Sequence, residues 1–155
     1  MNLRTVKPEI RIIGVSSFTN QDFTQLIGVI YRGAKWLDGV ISYRTPERLL
    51  TLPLISMIND SKHYQQIRVI AIHSDYINDG RVIDLNHLFE ETGKPVLFFI
   101  EDEGYEGLVF RGITVQSVGL RREKVEDVLK VSVREDKIPE ALRIAGIIRE
   151  NLKNT

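Results

Sequence analysis

His73, Ser74 and Asp75 follow directly on the apolar, β-branched run Ile67–Ile72, which makes them the first residues to test for chemistry. An imidazole and a carboxylate two positions apart at a strand end could ligate a transition metal, since both donors suit such ions. Asp38, in Trp36-Leu37-Asp38-Gly39, could add an oxygen ligand. An aspartate in a turn also accepts backbone N–H bonds, which is its commoner use. Ser16 and Ser17 end a second apolar run, Ile10–Val15. A serine beside His73 would pair a nucleophile with a base. No Gly-x-Ser-x-Gly elbow accompanies them. The stretch Glu101-Asp102-Glu103-Gly104-Tyr105-Glu106-Gly107 is the most acidic of the chain, and its glycines and free charges read as a solvated loop.

Apolar spacing predicts the elements that position these residues. Ile10–Val15 is a first strand, Phe18–Gln25 a connection and Leu26–Tyr31 a second strand. Arg32-Gly33-Ala34-Lys35 has the length of a hairpin turn into a third strand, Trp36–Tyr43. Thr45 reads as an N-cap with Pro46 at the first helical position, and Leu49, Leu50, Leu54, Met57 and Ile58 keep a helical stripe kinked at Pro53. After the fourth strand, Ile67–Ile72, Asp79-Gly80 reads as a turn and Val82, Ile83, Leu85, Leu88 and Phe89 as a helical face closed by Gly93. Val96–Ile100 is a fifth strand, so this stretch is a βαβ unit with parallel strands and a right-handed crossover. Ile113–Val118 is a short further extended segment, and Glu123–Val131 is a helix. Pro139 opens a last helix with Ala141, Leu142, Ala145, Ile148 and Leu152 on one face. The order predicts an α/β, RNase H-like domain: a mixed five-stranded sheet, three antiparallel strands followed by two parallel ones, flanked by helices. The first and fourth strands should be parallel neighbours whose carboxyl ends form the site.

A chain of 155 residues suits one domain, 1–155, with a sizeable core. Its 21 basic and 21 acidic residues give no global field that favours nucleic acid or an anionic membrane. Cysteine is absent, which removes disulfides, thiolate zinc sites and a thiol nucleophile, and fits a cytoplasmic protein. The start, Met1–Pro8, lacks the apolar core of a signal peptide, and no apolar run is long enough to span a membrane.

Several runs carry a resemblance to a known family. Val29-Ile30-Tyr31-Arg32-Gly33-Ala34-Lys35-Trp36-Leu37-Asp38-Gly39-Val40 resembles a signature of an archaeal family of unknown function, number ninety-nine in the domain-of-unknown-function series. Ser61–Val69, Thr92–Val96 and Ile138–Ala145 resemble its other marks, in the same order. That family is distantly similar to endonuclease V, an RNase H-like nuclease that cuts strands beside deaminated bases with magnesium. Pro139-Glu140-x-x-Arg143-x-Ala145 is the part most like endonuclease V itself.

The resemblance implies clustered carboxylates, because Mg²⁺ wants oxygen ligands that bring negative charge. The acidic pair it implies at the end of the first strand is replaced here by Ser16 and Ser17. The second acid falls at Leu49 and the third at His73, and a basic residue implied after the fifth strand falls near Glu101. The expectation is therefore a catalytically degenerate domain, without a cofactor, that binds nucleic acid or a protein partner. Arg143 and Trp36 are the candidate nucleic-acid contacts. The alternative is a Mg²⁺-dependent endonuclease acting on deaminated nucleic acid through a rearranged site of Asp38, His73 and Asp75. The sequence sets no oligomeric state.

Overall fold

A computed structural model of the protein describes residues 5–77 and 82–153, so the turn expected at Asp79-Gly80 lies outside the described residues. β1 (Arg11–Thr19), β2 (Thr24–Arg32) and β3 (Trp36–Thr45) form an antiparallel meander. After α1 (Thr51–Asn59), β4 (Val69–His73) returns parallel to β1, with Ile12 opposite Val69 and Val15 opposite Ile72. α2 (Leu85–Thr92) crosses to β5 (Val96–Ile100), parallel to β4. A hairpin of β6 (Leu108–Phe110) and β7 (Ile113–Val118) follows, with β7 antiparallel to β5, and then α3 (Arg122–Ser132) and α4 (Glu140–Lys153). The sheet order is β3-β2-β1-β4-β5-β7-β6. The first and fourth strands are thus parallel neighbours, as expected from the sequence.

Both faces of the central strands are covered, which is why β4 and β5 are apolar at nearly every position. Alternate residues divide between two cores. Ile13, Val15, Ile70, Ile72 and Phe98 meet Leu54, Ile58 and Leu88 of α1 and α2. Ile12, Val69, Ala71, Leu97 and Phe99 meet Val125, Val128 and Leu142 of α3 and α4. Gly14 lets α4 lie directly on β1, since a Cβ there would run into the backbone at Ala141 and Leu142.

The sheet has seven strands rather than the expected five. β6 escapes periodicity because it is three residues long and its central Val109 is exposed. Its two-residue turn, Arg111-Gly112, has positive φ at both positions (49° and 84°), and arginine gives no hint of that. Phe18–Gln25 is not a connection but the tips of β1 and β2 around a short turn. There Asn20 Oδ1 accepts the Asp22 and Phe23 N–H groups at 2.8 and 2.9 Å.

Thr45 ends β3 instead of capping α1, because a residue before proline is pushed to extended backbone. Its Oγ1 accepts the Glu47 N–H in a turn. α1 starts at Thr51, so Pro53 falls in the first turn, where a missing N–H has no partner to lose and no kink is needed. α2 begins at Leu85 with Asp84 Oδ1 accepting the His87 N–H at 3.0 Å, and Val82 is exposed ahead of it. Leu152, expected on the buried stripe of α4, is exposed. No helix among the described residues is long and apolar enough to cross a membrane.

Candidate functional site

Parallel pairing of β1, β4 and β5 brings their carboxyl ends to one edge of the sheet. His73 is the last residue of β4 and pairs with Phe99, so Glu101, just past β5, stands beside it. The turn after β4 adds Asp75. Ligand atoms of His73, Asp75 and Glu101 all lie within 4.8 Å of one another. Tyr76 closes the group from above: its ring stacks on His73 at 4.1 Å and 15°, and rests against Gly146 of α4. Its carbonyl accepts the Ser17 N–H, which ties the turn back to β1.

Charge decides what this group can do. His73 is 1% exposed, and burial lowers its pKa against the opposing pull of Glu101 and Asp75, so the ring is held neutral. Its Nδ1 accepts the Asp75 N–H at 3.0 Å, which leaves the proton on Nε2. Nε2 faces Glu101 Oε1 at 3.9 Å. That carboxylate is already engaged by Lys137 Nζ at 2.8 Å, and the ammonium holds its pKa below the usual range. The imidazole therefore has no lone pair to offer as a base at Nε2, and none to spare for an ion at Nδ1 unless the Asp75 amide lets go. Burial also pushes the Tyr76 hydroxyl up, so it stays protonated near neutral pH.

The residues at the positions where the resemblance implies magnesium ligands bring no carboxylate, although the pairing of Val15 with Ile72 sets Ser16 beside His73. Ser16 is fully buried and its Oγ donates to the Ala145 carbonyl of α4 at 2.7 Å, so the hydroxyl addresses a helix and not His73. Ser17 is equally buried, and its carbonyl accepts Arg149 Nε at 2.7 Å. Leu49 is 69% exposed in the loop before α1. These groups do not fit a Mg²⁺ centre: β1 itself carries no carboxylate, and the Ser16 hydroxyl is taken by α4. Asp38 is at the other end of β1, held by Arg11 Nε at 2.6 Å and Arg32 Nε at 2.9 Å. The structure brings His73 and Asp75 together and leaves Asp38 out.

Arg143 grips Glu140 through Nε and Nη2 at 2.7 and 2.9 Å, so the Pro-Glu-x-x-Arg run is an internal ion pair on the first turn of α4. Trp36 is 47% exposed on the β2–β3 hairpin, flanked by Arg32 and Lys35. Sequence reasoning missed Glu101 and Lys137, reading the first as part of a solvated loop. The available signal was positional, since Glu101 directly follows β5 as His73 ends the parallel β4.

Among curated proteins, the chain is similar to a UPF0215 protein of Methanopyrus kandleri, 33% identical over 184 aligned positions that cover 96% of this chain and 93% of the relative. A UPF0215 protein of Methanosarcina mazei is 30% identical, with 92% and 90% covered. The fold matches the crystal structure of a protein of unknown function from Archaeoglobus fulgidus with a TM-score of 0.78 at 20% identity, covering 92% of this chain and 97% of that one. It also matches Ciona intestinalis endonuclease V, solved with a 24mer DNA containing an inosine followed by a ribo-adenosine, with a TM-score of 0.67 at 10% identity. That match covers 93% of this chain and 86% of the other. No family model matches the chain. At these identities the two structures speak for the fold alone, an endonuclease V-like α/β fold.

Proposed function

The chain belongs to the UPF0215 family of archaeal proteins, and from that premise we propose that it is a single endonuclease V-like domain that works in the cytoplasm by binding nucleic acid, without magnesium-dependent strand cleavage. The observation that carries this reading is the closed back of β1, where Ser16 Oγ is spent on the Ala145 carbonyl. A hard divalent cation gives up its water only for several oxygens that bring negative charge. A buried hydroxyl, a neutral imidazole and an exposed leucine supply none. Binding of nucleic acid is supported by likeness to a fold that has been solved with DNA.

The test is direct. Single strands containing deoxyinosine or deoxyuridine are incubated with the protein and Mg²⁺ or Mn²⁺, and retention and cleavage are read on native and denaturing gels. Retention without ion and without cleavage is expected. Binding of a partner protein but of no strand would overturn the nucleic-acid part.

One observation favours a second reading, a metal-dependent endonuclease with a rearranged site. His73, Asp75 and Glu101 are close enough for one transition ion, with Glu101 in the role expected of Asp38. An ion there must displace Lys137 from Glu101 and free His73 Nδ1. Ion-dependent cleavage abolished by Asp75→Asn and by Glu101→Gln would establish this reading and sink the first.

A further inference from the structure

A chain with 21 cations and 21 anions can still separate them in space. At the amino-terminal end of β1 and β4, a cleft of about 430 Å³ is lined by Lys7, Arg11, Arg32 and Arg68 against a single acid, Glu9. The groove before α4 reverses the balance, with Glu135, Asp136 and Glu140 facing Arg134 and Arg143. We infer that the basic cleft is the protein's nucleic-acid site, taking the backbone phosphates of a single strand while Trp36 stacks on one of its bases. This rests on the nucleic-acid reading proposed above and assigns that binding to a surface.

The cleft is built before a ligand arrives. Asp38 lies behind its wall and takes Nε of both Arg11 and Arg32. Those two arginines hold its carboxyl below the usual range, Arg11 most strongly. The terminal nitrogens of both guanidiniums have no acceptor among the described residues. A plain structural triad would explain these three side chains. It does not explain Lys7 and Arg68, which have no carboxylate partner among the described residues; Arg68 reaches only the Gln65 carbonyl. The Arg68 charge is felt nearby. The Lys94 ammonium is pushed down first by burial and then by Arg68.

The rim is rigid as well. The Gly33 N–H donates to the Ile10 carbonyl at 2.7 Å, and φ at Gly33 is +55°. A Cβ there would collide with the Pro8 carbonyl oxygen, so the hairpin bearing Trp36 is pressed onto the arm bearing Lys7. Arg32 links the two parts, lining the cleft with its guanidinium 5.6 Å from the Trp36 ring centroid. An exposed tryptophan beside a phosphate site suits a strand whose bases are free to stack, which a duplex does not offer.

Trp36 is the only tryptophan, so its emission reports on this site alone. The intact protein is titrated with a short oligothymidylate, following both Trp36 emission and the anisotropy of an end-labelled strand. Saturable quenching is expected, with log K falling against log salt by about 0.7 for each phosphate held. Lys7→Gln with Arg68→Gln should weaken binding at least about ten-fold and flatten the salt slope by one to two contacts, with an unchanged melting curve. Trp36→Ala should weaken it several-fold and Trp36→Phe should retain most of it, both read by anisotropy. Binding by anisotropy with unchanged Trp36 emission, or loss of binding on Lys137→Glu but not on the cleft variant, would overturn this site and leave nucleic-acid binding standing. Equal quenching by inorganic phosphate at the same concentration would reduce the cleft to a simple anion site and overturn the proposal. No anisotropy change at low salt would overturn both.

Discussion

His73 shows how a single buried ring can report on the site's chemistry. Burial holds its folded-state pKa below the ordinary histidine value. As pH falls through about 6.5 the unfolded chain takes up a proton that the folded ring refuses, so the folded state loses stability down to the depressed pKa. The melting temperature should therefore drop between pH 7.5 and 5.5, and His73→Gln should show a shallower drop over that window. An unchanged slope in the variant would mean that the ring titrates freely. Glu101, lowered chiefly by Lys137, contributes with the same sign at the more acid pH where a free glutamate titrates, so the two effects are separable by pH. The position of His73 at a strand end was legible in the sequence because an apolar run stops there. Its partners were not, because Glu101 is 28 residues and Lys137 64 residues further along, and only the register of β4 on β5 and the approach to α4 bring them near.

At the scale of elements, α4 is the piece on which the site depends. It covers β1, supplies the Ala145 carbonyl to Ser16, and receives the Tyr76 ring against Gly146. Leu142 is fully buried in this contact, and Leu142→Ala should cost about 2–5 kcal/mol in urea unfolding. Gly14→Ala should also destabilise, since its Cβ meets α4 backbone that cannot rotate away. A parent-like midpoint for either would show the helix to be loosely attached. The stripe Ala141, Leu142, Ala145 was readable from helical spacing. Where α1 starts was not, because Thr45-Pro46-Glu47 satisfies a strand end and a turn as well as it satisfies a cap. Short exposed strands such as β6 fail for a related reason: three residues offer too little alternation to see, and their pairing partner, β7, identifies them only in three dimensions.

Across the whole molecule, net charge hid what mattered. The cleft by β1's amino end and the groove by α4 carry opposite signs, yet a chain total of 21 cations and 21 anions shows neither. Composition is a sum, and steering depends on placement. At pH near the sequence pI of about 6.8 the protein should still be retained on a sulfonate column at low salt, through its basic edge. Lys7→Gln with Arg68→Gln should elute in the flow-through; retention of that variant would place the binding charges elsewhere. The overall order of strands was legible because crossovers follow a rule of hand, whereas charge on a sheet edge follows none. The long reach of α4 has a further consequence for how the protein is made. Ser16 and Ala145 are separated by 129 positions, and Arg149 reaches Ser17 across 132. A ribosome must therefore translate as far as α4 before the back of β1 acquires its cover. Until then the nascent sheet shows an unclad apolar face, a natural substrate for chaperones that hold hydrophobic surface during synthesis.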